Sequence, residues 1–228
     1  MKQTFAVAEM ALREMLRRRT VIVIIMLLPL GFYLSRRNEH LGQSIRFVFL
    51  GVSWALSAAA LFAGSAARAI EPRLRLSGYR SRHLYLGRLG ALWTVGLVLS
   101  TPYFLLIRLD QHDVRYDAIA LIMLCIVAVA APFGLALSAV LPRELEGTLV
   151  LLLVVGLQMM LDPAGTASRL LPFWFSREIG TYAIDHTDGG YLARGVLHAV
   201  LTFAALLAIV ALASEIRLRR RPHVRLVS

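Results

Sequence analysis

Three things are scarce in this chain of 228 residues: cysteine, lysine, and charge within its long apolar runs. The one cysteine, Cys125, lies inside an apolar stretch, which excludes a disulfide framework and a cysteine-built metal cluster. The one lysine, Lys2, excludes a G-x-x-x-x-G-K phosphate loop, so if ATP drives this protein the nucleotide must bind a separate chain. The sequence has no H-E-x-x-H, no G-x-S-x-G elbow and no paired cysteine–histidine cluster, so no metal site and no catalytic residue is expected. Asp188-Gly189-Gly190-Tyr191-Leu192-Ala193-Arg194 approaches the D-G-x-x-A-R start of lipid-headgroup transferases. It has one residue too many and lacks the following aspartate pair, so it is read as a chance match. The apolar runs hold no internal charge, and the nearest ionisable group is His198, read as a packing or interfacial histidine. Ion-coupled carriers need ionisable or broken-helix sites near the bilayer midplane, and charged channel filters need rings of charge, so both classes are disfavoured.

What is abundant is apolar length. Hydrophobic residues make up 58% of the chain and charged residues 17%, against roughly 45–50% and about 25% in soluble domains. The excess falls in runs of the size that crosses a hydrocarbon core, about 20 residues each. The expected spans are 20–35, 47–69, 86–107, 118–141, 147–161 and 192–214, an all-α integral membrane fold of six helices in one membrane domain, 20–214. Residues 1–19 read as an amphipathic helix lying in the interface. Phe5, Ala8, Leu12, Met15 and Leu16 share one face, and Arg13, Arg17 and Arg18 fall largely elsewhere. A signal peptide is not expected, because no small-residue cleavage site follows the apolar run. Pro29 and Pro132 are expected to kink their spans. Small residues in the second span (Ser53, Ser57, Ala60, Gly64) and the fourth (Ala130, Gly134, Ser138) are spaced for close helix approach.

The formal net charge of +11 would raise nucleic acid as a partner if it sat on one soluble face. It sits at helix ends instead, so no nucleic-acid partner is expected. With the amino terminus inside and six crossings, seventeen of the 25 basic residues are cytoplasmic and eight are outside, which satisfies the positive-inside rule. Both termini are then cytoplasmic, with a basic tail at 215–228. The Arg36-Arg37 pair outside the first span is the one local violation. Outer acids (Glu39, Asp110, Asp113, Asp117, Asp162, Glu178, Asp185, Asp188) balance the outer arginines.

Two connections are longer than turns require, and long loops usually carry function. One is cytoplasmic, RAIEPRLRLSGYRSRHLYLGR at 68–88; the other is extracellular, 162–191. The cytoplasmic loop offers Glu71, then Arg73-Leu74-Arg75-Leu76, then Ser77-Gly78-Tyr79-Arg80-Ser81, then Gly87-Arg88. With ALREMLRRRTVIVIIMLLPL at 11–30, GLALSAVLPRELEGTLV at 134–150 and LPFWFSREI at 171–179, this pattern resembles the permease subunits of type-2 ABC transporters over nearly the whole chain. The common form of that loop is acid-rich, and here it is arginine-rich.

The resemblance implies a six-helix permease preceded by an interfacial helix (Phe5, Leu12, Arg13, Leu16, Arg17), with short re-entrant helices in the outer loop. It implies a coupling helix over roughly 70–83, in which Glu71, Arg73, Arg75, Ser77, Gly78, Tyr79, Arg80 and Ser81 meet a cytoplasmic ABC ATPase. ATP and magnesium would be held by that partner, and a second permease copy or a related permease would complete the path. Export is implied by resemblance alone. Uncharged spans favour an apolar or amphipathic cargo. Heavy arginine use points to a GC-rich bacterium and hence its inner membrane. A membrane scaffold or assembly subunit without a transport path is the alternative expectation.

Overall fold

The structure, a computed structural model, describes residues 2–37, 42–68, 70–141, 143–162 and 165–218. Nine α-helices and one 3₁₀ turn, with no strand, occur among the described residues. They are α1 (Lys2–Arg17), α2 (Arg19–Ser35), α3 (Gln43–Ala67), α4 (Glu71–Leu76), α5 (Ser81–Asp110), α6 (Tyr116–Val140), α7 (Glu144–Met160), α8 (Trp174–Ile184) and α9 (Gly189–Leu218), with the 3₁₀ turn at Ser168–Leu170. Arg219, Arg220, Arg221 and Arg225 of the expected basic tail lie outside the described residues, as does Glu39.

Close approach of small residues places α3 and α6 together at the centre. A Cβ added at Gly134 would sit 2.1 Å from the Ser57 carbonyl oxygen, and one added at Gly64 would sit 2.1 Å from Ser138 Oγ. Ser57 and Ala60 face Gly134 while Gly64 faces Ser138 and Leu135, so numbering rises in step and the two helices run parallel. The small-residue spacing in the sequence is the cause: without side chains at these points, backbones meet and dispersion contacts replace lipid contacts. The remaining helices pack around this pair. Gly51 of α3 receives Pro29 of α2, Gly96 of α5 receives Leu56 and Val127, and Gly147 of α7 receives Leu61. Of the apolar window of α3 and of α6, 72% is buried, against 17% for α9. On α9 Gly195, Ala199, Leu206 and Val210 are buried, with Val196, Phe203 and Leu207 packed beside them, while Leu197, Val200, Leu201 and Leu212 are exposed. A water-soluble chain does not leave an apolar area of that extent uncovered; a bilayer covers it.

The chain is a multi-pass membrane protein, and four to five of its segments are long and apolar enough to cross, where six crossings were expected. Helices α3, α5, α6 and α9 are long and apolar enough to cross, and α1 with α2 supplies a fifth candidate as a bent pair. The expected fifth span, 147–161, is α7, whose 17 residues reach about 26 Å at 1.5 Å per residue. That is short of a hydrocarbon core of about 30 Å. Its length is limited by extended backbone at Arg143 and Leu161 on either side. The prolines sit within continuous helices, Pro29 in α2 and Pro132 in α6. Ahead of Pro29, the Tyr103 hydroxyl of α5 donates to the Met26 carbonyl, support of the kind that lets membrane helices carry proline.

The bundle has two ends. At the first, α1 packs on the start of α5, and α4 with that start meets the finishing turns of α3 and α6. At the second, α2, α5 and α7 finish, α3, α6 and α9 begin, and α8 lies among them. Residues 171–179 of the second long connection, expected to include short helices, supply the 3₁₀ turn's exit and the first half of α8, and Phe173, Phe175 and Ile179 there are buried in the core.

Candidate docking site

The loop singled out from sequence folds locally for reasons visible in its residues. Pro72 lies in the first turn of α4, where its missing N–H costs nothing, and Gly78 follows the helix end. Gly78 has φ +89°, and nothing lies within 4 Å of where its Cβ would be, so the requirement is backbone conformation and not space. The Tyr79 N–H donates to the Leu74 carbonyl and the Gly78 N–H to the Arg75 carbonyl, at 3.1 Å each. This 6→1 and 5→2 pair is a Schellman closure, which satisfies the last carbonyls of a helix. The Ser77 hydroxyl adds a bond to the Arg73 carbonyl at 3.2 Å. Six residues, Glu71–Leu76, are helical, so the expected helix over 70–83 is shorter than drawn: Gly78 ends it and Ser81 already belongs to α5.

Glu71 is placed differently from its neighbours. It is 4% exposed and accepts from Arg88 Nη1 at 2.9 Å, both side chains being close to fully covered. A small cleft beside the pair is lined by Gly64, Tyr85, Ser138 and Val210, which brings α3, α5, α6 and α9 to the same point. A charge pair so enclosed costs much desolvation, and removing one partner strands the other. Glu71 therefore fastens α4 to α5 and is not available to a partner. Arg73, Arg80 and Arg82 are exposed, and Arg75 and Tyr79 are half-buried. Ser77 and Gly78 are exposed in the closing turn.

One residue before Arg88, α1 docks. A Cβ at Gly87 would meet the Thr4 carbonyl oxygen at 2.6 Å and Val7 Cβ at 2.7 Å, and Val7 is the buried residue of α1. The apolar arc of α1 is thus divided. Thr4, Val7, Ala8 and Met15 turn toward the bundle, while Phe5 and Leu16 are 74% and 56% exposed, with Leu12 between. Arg13 reaches Glu9 at the bond length of a close ion pair and Arg18 reaches Glu14 at 3.2 Å, both one turn apart, leaving Arg17 exposed. The chain then turns by 82° into α2. A helix nearly at right angles to α2, with Phe5 and Leu16 uncovered, has the geometry of an interfacial helix. Periodicity gave its amphipathic face; the Gly87 seat needed the tertiary structure, because a glycine inside a long helix carries no sign of its neighbour.

Arg68, at the end of α3, donates to the Ser138 and Leu141 carbonyls, the latter at 2.6 Å, capping α6 with a cation where the helix dipole favours one.

The second end is chemically different. The Asp110 carboxylate accepts from the Tyr33 hydroxyl and from Arg37, joining α2 to α5, and this bonding holds the exposed Arg37 guanidinium's pKa above its usual value. Arg46 pairs with Asp185 at 2.6 Å, Arg115 donates to the Tyr182 and Thr187 carbonyls at 3.3 and 3.2 Å, and Arg194 Nε meets Glu178 at 2.9 Å. Arg177 donates to the Leu161 carbonyl at 2.8 Å, and burial pulls its pKa down. Arg36, Arg108 and Arg169 lie over the rings of Phe47, Tyr116 and Trp174. His198 Nε2 donates to the Arg169 carbonyl at 2.9 Å with Trp174 edge-on, a packed histidine as expected. Among the described residues no group of three or more histidine, cysteine or acidic side chains could hold a metal ion. No protein-family model matches the sequence, and no curated protein matches it significantly.

Proposed function

We propose that the chain is the permease subunit of an ATP-driven exporter of the type-2 ABC kind, with the nucleotide and its magnesium held by a separate cytoplasmic ATPase. The observation that carries this reading is α4: a short helix at the first end, closed by Gly78, presenting Arg73, Arg80 and Arg82 outward and fixed to α5 through Glu71 and Arg88. A loop built only to return the chain across a membrane has no need of a capped helix with an internal ion pair. Held in this way, α4 moves with α5 and, through the Gly87 seat, with α1, so a push on α4 reaches both the interface and the bundle.

In this reading six crossings are made by α2, α3, α5, α6, α7 and α9, with bilayer thinning or flanking side chains serving the two shorter ones. Both termini are cytoplasmic in a bacterial inner membrane, a second copy or a related permease faces this one, and apolar or amphipathic cargo leaves the cell.

Purification in mild detergent followed by mass spectrometry tests the reading: a P-loop ATPase is expected to co-purify in stoichiometric amount. Tyr79→Ala is then expected to insert normally while separating ATP turnover from transport. A preparation that binds no ATPase under any lipid condition would leave the scaffold reading in its place.

A further inference from the structure

Because Glu71 is turned inward and neutralised by Arg88, the outward face of residues 71–82 has no carboxylate, although the sequence contains one. What that face does present is Arg73, Arg80 and Arg82, exposed and without a partner among the described residues, together with Leu76, which is 90% exposed. An apolar side chain left that open in an aqueous loop, ringed by cations, has the composition of an interface anchor with a charged rim. We propose that this surface docks into an acidic groove with an apolar notch on a cytoplasmic protein, the arginines meeting the groove's carboxylates and Leu76 filling the notch. The proposal rests on the permease reading above and names the chemistry of the face its ATPase presents.

The bilayer is the competing home for such a surface, and the geometry argues against it. The interface level is marked by α1, which lies at 82° to α2 and seats on Gly87. Ser81 begins α5 six residues earlier, about 9 Å farther out along the helix at 1.5 Å per residue. Arg80 and Arg82 therefore stand beyond the plane occupied by α1, on the water side, while Phe5 and Leu16 of α1 remain at it. Charge complementarity of this kind chiefly sets encounter rate and partner choice, so the inward turn of Glu71 also selects against a basic partner.

The test uses the full-length protein in phosphatidylcholine nanodiscs and the ATPase that co-purifies with it, following binding by interferometry as salt is raised. Binding is expected to weaken steeply with salt and to fall about tenfold or more in Arg73→Glu/Arg80→Glu/Arg82→Glu. The milder triple glutamine variant should show a smaller loss, and circular dichroism should report unchanged helix content in both. Leu76→Ala should weaken binding without altering its salt dependence. Salt-insensitive binding, unchanged in the triple variants, overturns this proposal and leaves the permease reading standing. Absence of any ATPase overturns both. A stability difference between phosphatidylglycerol and phosphatidylcholine nanodiscs that vanishes in the triple variants would assign these arginines to lipid and likewise overturn the proposal.

Discussion

At the second end of the bundle, arginines at eight positions from Arg36 to Arg194 each meet a carboxylate, a carbonyl or an aromatic ring. At the first end Arg73, Arg80 and Arg82 stand in solvent with no partner among the described residues. Arg68 and Arg88 also hold helices together at the first end, but the loop arginines Arg73, Arg80 and Arg82 are left available. The contrast is one of supply: the second end has Asp110, Asp185 and Glu178 within reach, whereas the nearby acid of the first end, Glu71, is already consumed by Arg88. Positive-inside counting registers how many cations each end has; the structure adds how many of them are engaged.

The comparison can be broken most severely at the one enclosed pair of the first end. Arg88→Ala strands Glu71 in a covered site and is expected to cost about 3–5 kcal/mol, read as a lowered unfolding midpoint in nanodiscs. Adding Glu71→Gln should recover a substantial part of the loss, and failure to do so would mean the pair is not what holds α4.

Arg115→Ala comes next. It removes two charge-assisted bonds between the start of α6 and the α8 region, and a loss of about 2 kcal/mol is expected, with Arg115→Lys intermediate because lysine lacks the planar fork. The Arg46–Asp185 pair is more than a third exposed on both sides, so a double-mutant cycle on it should give a coupling below about 1 kcal/mol. Smallest of all, Arg73→Gln, Arg80→Gln and Arg82→Gln should each leave stability within about 0.5 kcal/mol, despite occupying the densest basic segment inside the chain. Substantial destabilisation from any of these three would show that the first end is closed in the same way as the second.

Much of the scaffold was legible in the sequence because it depends on patterns within one helix. Apolar length located α3, α5, α6 and α9, and the small residues Ser57, Ala60, Gly64, Gly134 and Ser138 foretold the central seam. Helical periodicity found the amphipathic α1, and Gly78 marked the end of α4. The features that were missed all depend on two distant segments meeting. Glu71 was read as a contact residue from its place in the family pattern, whereas in the structure it turns inward and meets Arg88, seventeen positions on. Gly87 was read as part of a dipeptide opening a span, and its function as the seat of Val7 is invisible until α1 folds back. The length of the fifth expected span was not legible for a different reason: hydropathy does not register where a helix starts, and α7 starts and stops within 17 residues.

The seam between α3 and α6 has a consequence for the interior of the bundle. With backbone and side-chain atoms meeting at Gly134 and Gly64, there is no slot between these helices that a lipid tail or a drug-sized molecule could enter. The middle of the bundle is therefore a solid post, and any open space has to lie on the faces of the ringing helices.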